Sequence, residues 1–193
     1  MHGARQLSVA FLAGLIGTGN FAIAQALDDY LAANYFVNFA DSGSVEVRLF
    51  PREGKEVRVP LPVKLGSATF SPDGKSMYGA AHGSPDRTVR IRGIVRVELK
   101  TAQVTPVPGT NDFDVWSLAI SPDERNLVVS GSSGAGAGRR CGVFELALPS
   151  GASKQILTTS DCRYKAGWSQ LSISPDGHRL LALRDGRLRA HQS

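Results

Sequence analysis

Apolar and polar residues alternate along much of this chain, in short runs separated by residues that favour turns. Between residues 44 and 50, for example, Val45, Val47 and Leu49 alternate with charged residues. A period of two is typical of a β-strand that buries one face. Similar runs continue toward the carboxyl end without a long amphipathic helical pattern, and 21 glycines and 10 prolines accompany them. We therefore predict a turn-rich, all-β protein.

The tripeptide Ser-Pro-Asp occurs three times, each time between two apolar runs. It suits a tight turn, because proline sets the first dihedral angle, aspartate accepts hydrogen bonds from the backbone, and a following glycine allows a positive φ. In the second copy Glu124 stands where the others have glycine, which predicts either a different bend or a mildly strained backbone. The turns comprise Ser71, Pro72, Asp73 and Gly74, then Ser121, Pro122 and Asp123, and finally Ser174, Pro175, Asp176 and Gly177.

These turns recur about every 50 residues, a spacing typical of repeat architectures. Grouping the predicted strands around them gives a partial unit at 34–62, full units at 64–108 and 115–158, and a partial unit at 168–193. Four antiparallel strands in a unit of this length are the pattern of a β-propeller blade. The sequence thus predicts an all-β propeller with two full and two partial four-stranded blades.

Two segments that contain the tripeptide, residues 70–76 and 173–179, resemble the signature of the WD40-like, or PD40, repeats of TolB-family propellers. Residues 143–151, followed by residues 155–158, are similar to the third and fourth strands of the same repeat. The resemblance implies an exported, non-catalytic protein of the bacterial periplasm. Such a protein binds another protein or a component of the cell envelope through loops at one face of the propeller.

The first unit carries a second resemblance. Residues 35–38, with 44–49 and the first Ser-Pro-Asp-Gly, are similar to the YVTN type of propeller repeat in lactonase-like and surface-layer proteins. An alternative function from a different class is therefore the propeller portion of a hydrolase, either lactonase-like or of the prolyl-oligopeptidase type.

The number of units bears on whether the propeller closes. Closed propellers have about four to eight blades, and these residues supply only two complete units. We expect the chain to be the amino-terminal part of a longer propeller. One alternative is an arc that oligomerises to cover its open edges, and another is a fragment without function.

The amino terminus has the features of a secretory signal peptide. Arg5 supplies a basic start, residues 7–16 an apolar core, and residues 22–24 a small-x-small cleavage site. The apolar run is too short to span a bilayer permanently. We expect residues 1–24 to be removed on export to the periplasm or the cell exterior, leaving residues 25–193 without a transmembrane segment. The alternative is an amino-terminal helix that frays or tethers the protein to a membrane.

Export makes the two cysteines, Cys141 and Cys162, candidates for a disulfide. In an oxidising compartment they can close a loop of about 20 residues, which stabilises a fold by about 3 kcal/mol. The alternative is two unrelated thiols, one of them buried, because spacing alone does not bring two cysteines within bonding reach. We favour the disulfide.

Charge and motifs narrow the function further. The formal net charge is +5 at pH 7, but its Lys and Arg residues are scattered, so we predict a solvated surface and no nucleic-acid partner. No histidine has a second ligand at metal-binding spacing, and no Gly-x-Ser-x-Gly elbow is present. The glycine-rich run at 131–138 lacks the Lys-Ser/Thr of a phosphate-binding loop and is predicted to be a flexible loop. We therefore predict no catalytic residue, no metal and no cofactor.

The connections that precede the first strand of successive blades meet at one face of a propeller, which is commonly used for recognition. Two such connections are rich in charged and aromatic residues, and aromatic residues are frequent anchors at interfaces. For the two tryptophans the alternative is packing between blades. The candidate binding residues are Asp112, Phe113, Asp114 and Trp116 in one connection and Arg163, Tyr164 and Trp168 in the next.

Overall fold

A computed structural model describes residues 30–37, 45–51, 55–82, 92–160, 162, 168–184 and 187–192. Within them the chain forms fourteen β-strands, one short 3₁₀ turn and no α-helix. The strands are β1 (Tyr30–Val37), β2 (Val45–Pro51), β3 (Val57–Leu61), β4 (Leu65–Phe70), β5 (Ser76–Ala81), β6 (Ile94–Glu98), β7 (Val104–Pro106), β8 (Phe113–Ile120), β9 (Asn126–Ser133), β10 (Arg140–Ala147), β11 (Ser153–Thr158), β12 (Trp168–Ile173), β13 (Arg179–Arg184) and β14 (Arg187–Gln192).

The strands form four antiparallel sheets in chain order, which we call blades 1 to 4. Blade 1 contains β1 to β3, blade 2 contains β4 to β7, blade 3 contains β8 to β11, and blade 4 contains β12 to β14. Each strand pairs with its neighbour in the sequence, as strands joined by short turns do. The predicted fold class, with two full and two partial blades, is confirmed.

The blades stack on one another through apolar side chains. In β5, Met77 packs against blade 1, whereas the next residue, Tyr78, packs against blade 3. In β9, Leu127 faces blade 2 and Val128 faces blade 4. Successive side chains of a strand point to opposite faces, so strands that are apolar at consecutive positions are buried on both sides. The first strands of blades 2 to 4 lie side by side.

Each Ser-Pro-Asp turn joins the first two strands of a blade through the same hydrogen bonds. In the first turn the Ser71 hydroxyl donates to Asp73 Oδ1 over 2.7 Å and accepts the N–H of Ser76 over 2.9 Å. The N–H of Lys75 also donates to Asp73 Oδ1, over 3.0 Å. Both other turns repeat this set. The serine and the aspartate of the tripeptide therefore hold the turn.

Glu124 takes the glycine position of the second turn without changing its bend. Its φ is +57°, close to the +68° of Gly74 and the +76° of Gly177. Its N–H also donates to the carbonyl of the turn's serine, over 2.9 Å, as that of Gly74 does over 2.9 Å. Of the two expectations, the strained backbone applies, since a left-handed conformation costs a residue with a Cβ about 1 kcal/mol.

The prediction of a flexible loop at 131–138 was wrong for its first three residues. They belong to β9 and are buried, because β9 continues to pair with β10 as far as Ser133 and Arg140. Gly131 is required there, since a Cβ would collide with the backbone oxygen of Asp114. The connection between β9 and β10 is correspondingly short.

Blades 1 and 3 begin earlier than the predicted units, whereas blade 2 begins at Leu65 and blade 4 at Trp168. The first described strand starts at Tyr30, before residue 34, and blade 3 starts at Phe113, before residue 115. β8 begins two residues before the predicted unit because the Phe113 ring is buried against Phe144.

Some predictions concern residues outside the described part of the chain. These are the signal peptide at 1–24 and the candidate binding residues Arg163 and Tyr164, whereas Trp168 is described only as backbone in β12. Within the described residues, no helix has the length and apolar character needed to cross a bilayer.

Candidate functional site

In blade 3, the residues before β8 and the loop between β9 and β10 lie at the same edge of the sheet. β8 begins there at Phe113, opposite Ser133 at the end of β9, and β10 begins there at Arg140. The Ser-Pro-Asp turn lies at the opposite edge, because antiparallel strands alternate in direction. The name connection edge is used below for this end of the strands, which comprises residues 110–114, 131–142, 157–160 and 162.

Thr110 anchors the chain where it enters the connection edge from blade 2. It is fully buried. Its hydroxyl donates to the carbonyl of Val107 over 2.7 Å and accepts the N–H of Ile94 over 2.9 Å. Gly93 lies so close that a Cβ there would overlap Thr110. These contacts fix the connection to blade 2 immediately before Asp112.

Asp112 orients the loop between β9 and β10. Its Oδ2 atom accepts a hydrogen bond of 3.2 Å from the Ser133 hydroxyl and one of 3.0 Å from the N–H of Gly134. These bonds join the connection before β8 to the beginning of the neighbouring loop. Asp112 remains exposed, so its carboxylate is accessible while its position is fixed.

Arg139 joins the same loop to β9 and to β8. Its Nε and Nη2 donate to the Ser132 hydroxyl over 2.9 and 2.8 Å, and Nη2 also donates to Asp114 Oδ2 over 3.2 Å. Exposed ion pairs of this kind contribute little to stability, about 0 to 1 kcal/mol. Their effect here is to hold Arg139 and Asp114 in fixed positions at the surface.

The aromatic candidates of this connection are buried. Phe113 packs edge-on against Phe144, with ring centroids 5.2 Å apart, and Trp116 is also in the interior. The structure corrects the prediction that these two residues are exposed anchors. Both belong to β8, which begins at Phe113, and both rings are buried in the packing of the sheet. The connection edge therefore presents polar groups, together with the Arg140 guanidinium, which lies 5.8 Å from the Phe144 ring centre.

The predicted disulfide is present. Cys141 in β10 is bonded to Cys162, with their Cα atoms 5.4 Å apart. The carbonyl of Cys141 also accepts hydrogen bonds of 2.9 Å from the N–H of Thr159 and from Gln155 Nε2. These bonds tie the chain that leaves blade 3 to the beginning of β10, within the connection edge.

The sequence predicted Asp112 and Asp114 as candidates but not Ser132, Ser133 or Arg139, which the structure places beside them. These residues lie 18 to 27 positions further along the chain, and only the pairing of β9 with β8 and β10 brings them alongside. The available signal was Arg139 and Arg140 directly after the glycine-rich run, since paired basic residues next to a turn lie at a surface.

A shallow cleft of about 210 Å³ lies at the opposite edge, between the second and third Ser-Pro-Asp turns. Its two carboxylates, Asp123 and Asp176, accept hydrogen bonds within their own turns. Hydrogen bonds from Ser121 and the Arg125 N–H lower the pKa of Asp123, and those from Ser174 and the His178 N–H lower the pKa of Asp176. The lining residues are Ser121, Pro122, Asp123, Asn126, Asp176, Gly177 and His178.

The described residues contain no group of three or more His, Cys, Asp or Glu side chains arranged to hold a metal ion. Asp73, Asp123 and Asp176 lie in different blades, and each accepts hydrogen bonds within its own turn. They therefore act separately, as turn residues.

One family model matches the chain. Residues 102–135 match the family described as "WD domain, G-beta repeat", a segment that runs from before β7 to just beyond the end of β9. A search of curated proteins with this sequence finds no significant match.

Solved structures share the fold at low sequence identity. A chain from a structural study of two prolyl endopeptidases is 14% identical, with a TM-score of 0.54 over 83% of this chain and 28% of its own length. Hydrazine synthase from Kuenenia stuttgartiensis is also 14% identical, with a TM-score of 0.49 over 83% of this chain and 55% of its own. The chain thus spans about half of one protein and less than a third of the other.

At these identities the similarity concerns the fold, and the endopeptidase match is the one strong enough to support it. The repeat match covers the last strand of blade 2 and the first two strands of blade 3, and both of these blades have four antiparallel strands. Together these findings show a β-propeller fold in which residues 102–135 are similar to the WD domain, G-beta repeat family.

Proposed function

We propose that this chain is an exported, non-catalytic propeller that binds a protein or a component of the cell envelope at the connection edge of blade 3. The WD40-like propeller fold is that of binding and scaffold modules. The observation that carries the proposal is the fixed polar surface made by Asp112, Asp114 and Arg139, which hydrogen bonds hold to neighbouring strands. Side chains that are already ordered lose less entropy on binding.

Two features support export. The amino terminus has the composition of a signal peptide, and Cys141 is bonded to Cys162. Disulfides persist in the periplasm and outside the cell, where the environment is oxidising. Export to one of these compartments places the connection edge among envelope proteins and polymers.

Support for a non-catalytic role comes from what the acidic side chains do. The aspartates of the three turns accept hydrogen bonds from their own backbone, and Asp112 holds a loop. General acid–base catalysis needs a carboxyl or imidazole group whose pKa is tuned toward neutrality, and the pKa values of Asp73, Asp123 and Asp176 are shifted down.

The second candidate is the propeller portion of a hydrolase. It is favoured by the structural similarity to a prolyl endopeptidase chain, of which this chain spans 28%. Hydrolysis of peptide or lactone substrates by the purified full chain, at a rate above that of buffer, would support this candidate and contradict the non-catalytic proposal.

Capture experiments test the binding proposal. The immobilised full chain is incubated with solubilised envelope from the source cells, and bound components are identified by mass spectrometry. Arg139→Glu places a negative charge beside Asp114, so we expect capture of the specific component to fall about tenfold, which corresponds to 1.4 kcal/mol.

Arg125→Glu is the matched control, because Arg125 is an exposed arginine in the turn at the opposite edge of the same blade. We expect it to retain full capture. Equal capture by both variants would contradict a binding role for the connection edge, as would the absence of any component bound by the unmodified chain.

A further inference from the structure

The cleft between the second and third Ser-Pro-Asp turns lies at the junction of blades 3 and 4. Asp123 and Asn126 of blade 3 line one side of it, and Asp176 and Gly177 of blade 4 line the other. A Cβ built at Gly177 would lie 3.7 Å from Cδ of Pro122, which belongs to the opposite wall. A side chain at position 177 would therefore enter the cleft, which is open because glycine has none.

The preceding junction, between blades 2 and 3, has a side chain in the corresponding space. Glu124 takes the turn position that Gly177 takes in blade 4, and its carboxylate reaches back to blade 2, where it accepts a hydrogen bond from the Tyr78 phenol. Arg96 Nε lies 4.0 Å from the same carboxylate oxygen. At this junction, a charged side chain of the turn thus crosses between the blades and meets a guanidinium group.

All three of these residues differ at the junction of blades 3 and 4. Val128 has the position of the tyrosine, since each is the third residue of its strand. Glu145 pairs with Val128 as the arginine pairs with the tyrosine, so a carboxylate replaces the guanidinium. The glutamate of the turn is replaced by Gly177. The second junction therefore has space where the first has a side chain, and a negative group where the first has a positive one.

Asp123 and Asp176 add two carboxylates whose positions are fixed by their turns. Oδ1 of each accepts the hydrogen bonds of its own turn, which leaves Oδ2 for a further donor. Arg125 Nε lies 3.8 Å from Oδ2 of Asp123, but both side chains are largely exposed, and ion pairs of this kind are weak. The turn hydrogen bonds also lower the pKa of both aspartates, so both are ionised at neutral pH.

We propose that this cleft binds the guanidinium group of an arginine presented by a partner protein. The arginine takes the place that Glu124 has at the preceding junction, and its charge is opposite because the surrounding groups are carboxylates. A guanidinium suits two aspartates on facing walls, since its planar fork of donors can serve more than one acceptor. The cleft and the connection edge lie at opposite edges of blade 3, so this site does not depend on the function proposed above.

Nuclear magnetic resonance titration of the isotope-labelled full chain with N-acetylarginine amide tests the site. We expect saturable shifts of the backbone amide signals of residues 123–126 and 176–178, and none for residues 73–76 in the first turn. N-acetylcitrulline amide has a similar shape without the charge and should cause no saturable shift. N-acetyllysine amide should bind more weakly, because an ammonium group lacks the planar fork.

Asp176→Asn removes one charge from the cleft but keeps an oxygen that can accept the hydrogen bonds of its turn. We expect it to raise the dissociation constant of the arginine compound about threefold, the effect of losing one exposed ion pair. Asp73→Asn is the matched control, because Asp73 accepts the same hydrogen bonds in the first turn and does not line the cleft. It should bind the compound as the unmodified chain does.

A second variant, Gly177→Gln, fills the cleft without changing its charge, and we expect it to lose most of the binding. Gly74→Gln is its control, because Gly74 has a similar positive φ, +68° against +76°, outside the cleft. Circular dichroism identifies any variant that does not fold. The proposal is overturned if the arginine compound causes no saturable shift at the two turns, or if the citrulline or lysine compound binds equally well. It is also overturned if Asp176→Asn and Gly177→Gln bind the arginine compound as tightly as their controls.

Discussion

The phenol of Tyr78 in blade 2 donates a hydrogen bond of 2.8 Å to Oε1 of Glu124 in the turn of blade 3. Tyr78 belongs to the apolar cluster between these blades, and Arg96 Nε lies 4.0 Å from the same carboxylate oxygen. Glu124 therefore links two blades from a position where the other turns have glycine. This bond offsets the cost of its left-handed backbone.

We expect Tyr78→Phe to lower the free energy of unfolding by about 1.5 kcal/mol, because it removes a hydrogen bond to a charged group. Glu124→Gly removes the same bond but relieves about 1 kcal/mol of backbone strain, so it should destabilise less. Urea unfolding measures both changes, and the m value should remain that of the unmodified chain.

The double variant tests whether the two effects are coupled. When Phe replaces Tyr78, no bond is left for Glu124→Gly to remove, so that substitution should become stabilising. If Glu124→Gly lowers stability equally with either residue at position 78, Glu124 is not held by Tyr78.

We also expect the chain to lose stability at alkaline pH, because the pKa of Tyr78 is raised in the folded protein. Burial, together with the hydrogen bond to Glu124, raises the pKa of Tyr78 above its ordinary value of 10.0. In the folded protein the phenol therefore keeps its proton where the unfolded chain has lost it. The stabilisation is complete below about pH 10 and decreases as the pH rises above that value.

Urea unfolding between about pH 8 and about pH 11 checks this dependence. Tyr78→Phe is the control, because it has no phenol to ionise at this site. We expect the stability of the unmodified chain to fall more steeply with pH than that of the variant. Parallel curves would show that another group causes the alkaline loss.

Much of the fold could be predicted because its signals are local. Alternation over a few residues marks a strand, and Ser71, Pro72 and Asp73 carry within one tripeptide the groups that close the turn. Repetition of these signals then indicates the blades. The disulfide was favoured from export and spacing, and its geometry requires the pairing of β10 with its neighbours.

The candidate site could be predicted only in part, because its contacts are long-range. Asp114 in β8 and Arg139 in the loop before β10 are 25 residues apart in sequence, yet they are joined by a hydrogen bond. A strand shows the same alternation of apolar and polar residues whether its polar face meets water or another blade. The sequence pattern therefore did not reveal that Phe113 and Trp116 are buried. The Tyr78 contact of Glu124 likewise depends on how two blades pack.

Gly131 should be intolerant of any side chain. A Cβ at this position in β9 would collide with the backbone oxygen of Asp114 in β8, and such overpacking typically costs about 1 to 3 kcal/mol. We expect Gly131→Ala to lower the free energy of unfolding by that amount, measured by thermal or urea unfolding.

Gly138 provides the control for this substitution. It lies in the same glycine-rich run, but nothing is within 4 Å of a Cβ built there. Gly138→Ala should change stability by less than about 0.5 kcal/mol, as for other exposed sites. Equal losses for the two variants would mean that the close approach of β8 and β9 at Gly131 does not limit stability.

The disulfide should stabilise the chain mainly by restricting its unfolded state. Its two cysteines are 21 residues apart, and a loop of this length predicts a contribution of about 3 kcal/mol. Cys162→Ser removes the cross-link while leaving the buried Cys141 in β10, so its packing and the hydrogen bonds to its carbonyl are retained. We therefore expect the variant to keep the same circular dichroism spectrum and to unfold at a lower urea concentration.

Reduction distinguishes loss of the cross-link from damage caused by the new side chain. Adding a thiol reductant to the unmodified chain should lower its stability to that of Cys162→Ser, and the same reductant should leave the variant unchanged. If the unmodified chain is equally stable when oxidised and when reduced, the bond between Cys141 and Cys162 does not contribute to the fold. In that case the chain that leaves blade 3 is held by the hydrogen bonds of Thr159 and Gln155 to the Cys141 carbonyl.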